Sequence, residues 1–127
     1  MRIFSKQYWF FFVVLLFSCS VWAKSWSDTG APVGEVSLGN LPAEVRQTLG
    51  LIKQGGPYPY VKDGVVFGNY EGVLPRQKRG YYHEFTVATP GARGRGARRI
   101  IAGGNAQKLG EYFYTKDHYR TFQRIRE

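Results

Sequence analysis

At 127 residues the chain is one domain at most, and its 18 basic against 9 acidic residues give a formal charge of +9. That balance says nothing about fold but predicts attraction to polyanions, with a merely soluble basic protein as the bland alternative. The single cysteine, Cys19, falls in a leader-like segment, so a disulfide is excluded from the rest of the chain; with 17% aromatic residues, a hydrophobic core can stand without one.

Taken in order, Arg2 and Lys6 form a basic start, Tyr8 to Phe17 is an almost unbroken apolar run, and Val21-Trp22-Ala23 offers a cleavage site. This pattern reads as a signal peptide over residues 1–23 and predicts a secreted protein, extracellular or periplasmic. The run is too short for a comfortable membrane-spanning helix, which needs about 20 residues. A rival reading takes Leu16-Phe17-Ser18-Cys19 as a lipoprotein box that would leave Cys19 lipidated, against which the bulk of Phe17 weighs. Cleavage after Ala23 removes Arg2 and Lys6 and leaves 16 basic against 9 acidic residues.

Residues 24–35, rich in Ser, Gly and Pro, read as a flexible lead-in to a domain over 36–127. Asn40 can cap a helix, Pro42 suits its first turn, and Leu41, Val45, Leu49 and Ile52 fall on one face, which predicts a helix over 41–53. Gly55-Gly56-Pro57 stops it. Short strands follow at 65–67, 73–75, 81–89, 97–102, 111–115 and 119–125, separated by Gly, Pro and Asn. Runs this short with tight turns favour antiparallel pairing. The expected fold class is α+β: one N-terminal α-helix packed on a twisted antiparallel β-sheet of about five strands.

Side chains alternate along a strand. With Phe85 and Val87 turned to the helix, Glu84 faces the other way, and with Ile100 inward Arg99 joins it. A cross-strand Glu–Arg ion pair on a solvated face would explain those two alone, but not Arg95 and His118 as well. Together the four suit cleavage of an RNA phosphodiester. A carboxylate beside arginines stays ionised and can take the proton of a ribose 2′-hydroxyl, so Glu84 is the candidate base. Imidazole suits protonation of the leaving 5′-oxygen, so His118 is the candidate acid. Arg95 and Arg99 would hold the phosphoryl oxygens through forked, charge-assisted hydrogen bonds. His83, by alternation, faces away and is given a structural role. No cofactor is called for, and two histidines without a free cysteine make a poor metal-ligand set.

Asn69, Tyr70 and Glu71 lie in a loop. A carboxylate can accept both hydrogen bonds from N1–H and N2–H₂ of guanine, so Glu71 is a candidate base selector. Backbone amides near Asn69 would meet O6 and N7, and Phe67 or Tyr70 would stack on the ring. An ordinary polar turn with Asn69 left-handed is the alternative.

The ordered segments Asp63-Gly64-Val65-Val66-Phe67-Gly68-Asn69-Tyr70-Glu71-Gly72-Val73-Leu74-Pro75, Tyr81-Tyr82-His83-Glu84-Phe85-Thr86-Val87, Thr89-Pro90-Gly91-Ala92-Arg93, Arg98-Arg99-Ile100-Ile101 and Asp117-His118-Tyr119 resemble the microbial guanyl-specific ribonucleases, the barnase-like enzymes. The likeness runs over about residues 36 to 125. It implies RNA bound on the open face of the sheet and cleaved on the 3′ side of guanosine through a 2′,3′-cyclic phosphate. It places the base at Glu84, the acid at His118, the phosphate arginines at Arg95 and Arg99, the guanine carboxylate at Glu71, and a tyrosine near the phosphate at Tyr119. Tyr70 stands where close bacterial relatives often carry arginine. The implied partners are single-stranded RNA and an acidic barstar-like inhibitor protein, and a monomer is expected. The alternative of another class is a basic RNA-binding module on the same fold that does no chemistry; a carboxylate facing a phosphate would hinder such a binder.

Overall fold

The computed structural model describes residues 33–108 and 110–127. The signal peptide, the lipoprotein box and the lead-in as far as residue 32 lie outside the described residues. The chain forms β1 (Gly34–Ser37), a 3-10 turn (Leu38–Asn40), helix α1 (Ala43–Gln54), β2 (Tyr82–Thr86), β3 (Arg99–Gly103), β4 (Glu111–Thr115) and β5 (Gln123–Arg126).

Helix α1 buries Val45, Thr48, Leu49 and Ile52, spaced to share one side, and Leu41 just ahead of it is buried as well. Each apolar side chain so buried stabilises the fold by roughly 1.5–3 kcal/mol relative to exposure. Asn40 does not cap the helix. It closes the 3-10 turn, and the helix opens at Pro42 with no side-chain cap, the Val45 N–H donating to the Pro42 carbonyl. At the other end Gly55 takes φ 80°, and the amides of Gly55 and Gly56 donate to the carbonyls of Ile52 and Leu51. This is the Schellman pattern, which needs a left-handed residue where Gly stands. Buried Thr48 donates from Oγ1 to the Thr86 carbonyl at 3.0 Å, fixing the helix to the end of β2.

The sheet order is β1-β5-β4-β3-β2. The contacts from β2 to β5 are antiparallel, as expected, but β1 pairs parallel with β5, so the sheet is mixed. The expected lead-in therefore ends early: residues 34 and 35 are strand. Val36 lies opposite Ile125 and packs with it against the helix-side core, which holds β1 against β5.

Both faces of the sheet are covered. On one, α1 packs over Phe85, Val87, Ile100, Ala102, Tyr112 and Tyr114. On the other, Leu74, Tyr82, Ile101, Phe113 and Phe122 form a second cluster beneath loops. Those loops are where expected strands are missing. Residues 65–67 run beside β2, with the Phe67 amide donating to the Tyr82 carbonyl, yet make only the isolated bridge Val66–His83. Residues 73–75 form no strand, because Asn69, left-handed at φ 51°, turns the chain and binds Leu74 with its side chain. The last strand starts at Gln123 rather than 119, since His118 and Tyr119 have φ values of 54° and 73°, which a strand cannot accommodate.

Candidate active site

Thr86, Arg99 and Thr115 stand side by side across β2, β3 and β4, all buried, in a polar row next to the apolar row of Ile101 and Phe113. Glu84, two residues before Thr86, shares their face, and Phe85 turns to the helix. The alternation expected along β2 therefore holds, and half-buried His83 sits on the sheet's edge strand, bridged to Val66.

Arg99 is 3% exposed and is held by its neighbours: Nη1 donates to the carbonyls of Gly96, at 2.9 Å, and Arg98, at 2.7 Å. Arg95 donates from Nε to Thr86 Oγ1 at 3.0 Å, and its Cζ lies 6.0 Å from the centre of the Tyr60 ring. Nε of Arg99 and Nη2 of Arg95 are buried without a hydrogen-bond partner. Among the described residues the ion pairs join Lys53 to Glu127, Arg124 to Glu111 and Arg126 to Glu35. The cross-strand Glu84–Arg99 pair that would have made this an ordinary sheet face is therefore not formed. Burying a guanidinium against neutral acceptors is costly unless an anion completes it. The unpartnered nitrogens of Arg95 and Arg99 leave donors free that an anion would satisfy.

Tyr119 donates from its hydroxyl to Oε2 of Glu84. Its ring stacks on Phe67 at 5.1 Å between centres and 25° between planes, and Phe67 in turn meets Phe122 edge-on at 6.1 Å. Burial, reinforced by the Glu84 carboxylate, pushes the Tyr119 hydroxyl up to about 12, although nearby Arg99 acts the opposite way. The hydroxyl thus stays protonated and donating at any ordinary pH.

His118 is exposed, its ring centre 4.7 Å from that of Tyr119. The left-handed backbone of both residues is held by their surroundings. The His118 amide donates to the Ala97 carbonyl at 3.1 Å, joining this loop to the arginine loop. The Tyr119 amide donates to Thr115 Oγ1 at 3.1 Å, and Asp117 accepts from the hydroxyls of Thr115 and Thr121 and from the Thr121 amide. Those bonds, chiefly the ones from Thr121, hold the Asp117 carboxyl down at about 2.

The base-binding candidates gather on the loop after Phe67. The Asn69 side chain is engaged with both the N–H and the C=O of Leu74, so it shapes the loop and leaves only its backbone for a ligand. Tyr70 and Glu71 are exposed. A cleft of about 400 Å³ is walled by Phe67, Asn69, Tyr70, Glu71, Glu84, Arg95, His118 and Tyr119 together, and Arg99 is the one sequence-predicted residue not in its wall.

Sequence reading overlooked several residues. Lys62, Val66, Val73 and Phe122 also line the cleft. Asp63, read only as part of a turn, accepts from the amides of Tyr60, at 3.1 Å, and Thr86, at 2.8 Å, tying residues 60–64 to β2. Asp117 does the same for the histidine loop. The available signal was an Asp in a turn, a residue that readily accepts from backbone amides.

The sequence model of a family described as ribonuclease matches residues 24–126. Over 92 residues the chain is 59% identical to guanyl-specific ribonuclease Sa of Kitasatospora aureofaciens, covering 72% of this chain and 93% of that protein. It is 55% identical over 93 residues to guanyl-specific ribonuclease Sa3 of the same organism, covering 73% of this chain but 64% of the longer relative. A structure of ribonuclease Sa2 in complex with mononucleotides matches with a TM-score of 0.72 at 48% identity, over 77% of this chain and 98% of that one. Another, with guanosine-2′-cyclophosphate, has a TM-score of 0.69 at 49% identity, over 75% and 97%. Sequence and fold agree, and the chain belongs to the microbial guanyl-specific ribonuclease family.

Proposed function

We propose that this chain is an exported endoribonuclease that cuts single-stranded RNA on the 3′ side of guanosine by transphosphorylation to a 2′,3′-cyclic phosphate, then hydrolyses that ring to a 3′-phosphate. The observation that carries this reading is that one cleft gathers these groups. It holds a carboxylate bound by Tyr119, an exposed imidazole, a guanidinium with an unsatisfied N–H, and a second carboxylate on a loop. Ribonuclease Sa2 has been seen with guanosine-2′-cyclophosphate and with 3′-GMP, the intermediate and product such a route gives.

Glu84 takes the proton of the guanosine 2′-hydroxyl, and the freed oxygen attacks phosphorus. The 5′-oxygen leaves with a proton from His118. Charge building on the phosphoryl oxygens meets Arg95 and Arg99, whose positions are fixed before substrate arrives, so little reorganisation is needed at the transition state. In the second step His118 takes a proton from water and Glu84 returns one to the 2′-oxygen. Tyr119, protonated throughout, donates its one O–H to the Glu84 carboxylate and keeps it oriented. Glu71 accepts from guanine N1–H and N2–H₂, with Phe67 and Tyr70 as stacking surfaces.

The leader over residues 1–23 supports export. An acidic inhibitor protein fits the basic surface, and a monomer is the simplest state for an enzyme whose cleft is complete within one chain. The test is to incubate the purified protein, with EDTA present, with a short single-stranded RNA containing one guanosine and map the ends. One cut after that guanosine, with a cyclic phosphate on the 5′ fragment, is the expected result. No cut by a folded sample would leave the binding module in its place.

A further inference from the structure

Tyr70 is 84% exposed, yet its ring has a seat. A Cβ built on Gly68 would come 2.4 Å from Cε2 and 2.5 Å from Cζ of Tyr70, so the ring rests where any other side chain at 68 would project. Gly68 is not among the glycines with positive φ. Its lack of a side chain therefore matters for space and not for backbone freedom. At its tip the ring is met by Arg79, whose Nη1 donates to the Tyr70 hydroxyl at 2.9 Å.

Arg79 is set up to reach that hydroxyl. Its loop is anchored before it by Leu74, buried and bound at both N–H and C=O by Asn69, and by Pro75, whose carbonyl accepts from Tyr82 Oη at 2.5 Å. After it, the Tyr81 amide donates to the Lys78 carbonyl at 3.1 Å. Among the described residues Arg79 has no acidic partner. Its only hydrogen bond to another side chain is to a residue that lines the cleft.

We infer that Gly68, Tyr70 and Arg79 form a latch that holds the Tyr70 ring as the outer wall of the base-binding end of the cleft. Arg79 is thereby a positioning residue for guanine binding. This rests on the guanyl-specific reading above and adds to it a residue outside the cleft wall. An exposed tyrosine free to rotate would have to be ordered each time a base is bound, and the latch removes part of that cost beforehand. The contact acts on the face of the base, not on its hydrogen-bonding edge.

The experiment is steady-state cleavage of guanylyl-3′,5′-cytidine and of its inosine counterpart by the purified protein, beside 3′-GMP titrations. The variants are Arg79→Ala, Arg79→Lys, Tyr70→Phe, Gly68→Ala and the double variant Arg79→Ala/Tyr70→Phe. One exposed hydrogen bond with preorganisation is worth about a three- to tenfold rise in KM for Arg79→Ala, with kcat within about twofold. The rise is expected to be equal for guanosine and inosine, because stacking does not read the 2-amino group. Tyr70→Phe and Gly68→Ala should raise KM comparably, Arg79→Lys should recover most of the loss, and the double variant should be no worse than Arg79→Ala.

Unchanged KM and 3′-GMP affinity in Arg79→Ala and Tyr70→Phe, in an active wild-type background, would overturn the latch and leave the nuclease reading intact. A lowered KM would also overturn it, since the ring would then be obstructing the cleft. A wild type that neither cuts nor binds 3′-GMP would remove the nuclease reading and the latch together.

Discussion

Glu84 and Tyr119 depend on one another, and each can be read through the other. The Tyr119 hydroxyl is raised to about 12 first by burial and then by the Glu84 carboxylate it serves. A neighbouring negative charge disfavours the phenolate, so Glu84→Gln should bring Tyr119 down from about 12 while burial keeps it above the ordinary 10. The alkaline titration followed at 295 nm checks this, and an unmoved titration would mean that the two groups do not share a proton-bearing contact in solution. The same substitution removes the proposed base, so kcat should fall by about a hundred- to ten-thousandfold. His118→Asn should do likewise, its exposed ring leaving the packing unharmed and asparagine accepting the left-handed φ of 54°. Glu71 is a different case. It is exposed and outside the catalytic row, so Glu71→Ala should relax the choice of base more than it slows the chemical step. Comparing cleavage after guanosine and after adenosine measures it, and an unaltered pattern would place base selection elsewhere on the loop.

The elements around the cleft show what local sequence can specify. Helix α1 was legible because burial of Val45, Leu49 and Ile52 repeats at helical spacing and Gly55 can take the left-handed turn that ends it. Strand β4 was legible for its run of aromatic residues between turns. The parallel pairing of β1 with β5 was not, because four residues with a half-exposed pattern carry no mark of a partner at the other end of the chain. Nor were the loops at 65–75 and 116–122, whose apolar residues look like strands but are turned by Asn69 and by the left-handed pair His118–Tyr119. Eight of the side chains that line the cleft could be named from the sequence. The carboxylates that hold their loops could not, because one Asp in a turn resembles another. Asp117 now permits a test. A carboxyl lowered from its ordinary 3.8 to about 2 contributes stability that is fully present above about pH 4 and is lost as the pH falls through about 2. Asp117→Asn should remove that pH-dependent component, lower stability at neutral pH by about 1 kcal/mol through weakened hydrogen bonds, and reduce kcat as His118 loses its fixed loop. Thermal melts between pH 2 and 7 for both proteins decide it: parallel curves would mean that Asp117 does not hold the loop.

At the scale of the whole molecule, the formal charge of +9 matters through where the uncompensated cations sit. Arg124 and Arg126 are paired on β5, and Lys53 is paired at the end of the helix. Lys62 and Arg95 line the cleft without acidic partners, and Arg99 lies buried beside Arg95's hydroxyl partner Thr86. Part of the uncompensated charge therefore faces the site, and a polyanion should feel it beyond the one phosphate that reacts. Each phosphate neutralised by a cation releases condensed counterions, with a slope of log affinity against log salt of about −0.7 per contact for a single strand. A guanosine dinucleotide presents one phosphodiester and should show a slope near that single contact, while a strand of ten or so nucleotides should be steeper by one such increment for every further cation it reaches. Measuring kcat/KM on both substrates across a salt series at constant pH separates the two contributions. Removing the Lys62 charge as Lys62→Gln should flatten the long-strand slope by about one contact and leave the dinucleotide slope alone. Equal slopes for the short and the long substrate would confine the charge effect to the reacting phosphate and make the remaining basic residues a matter of solubility.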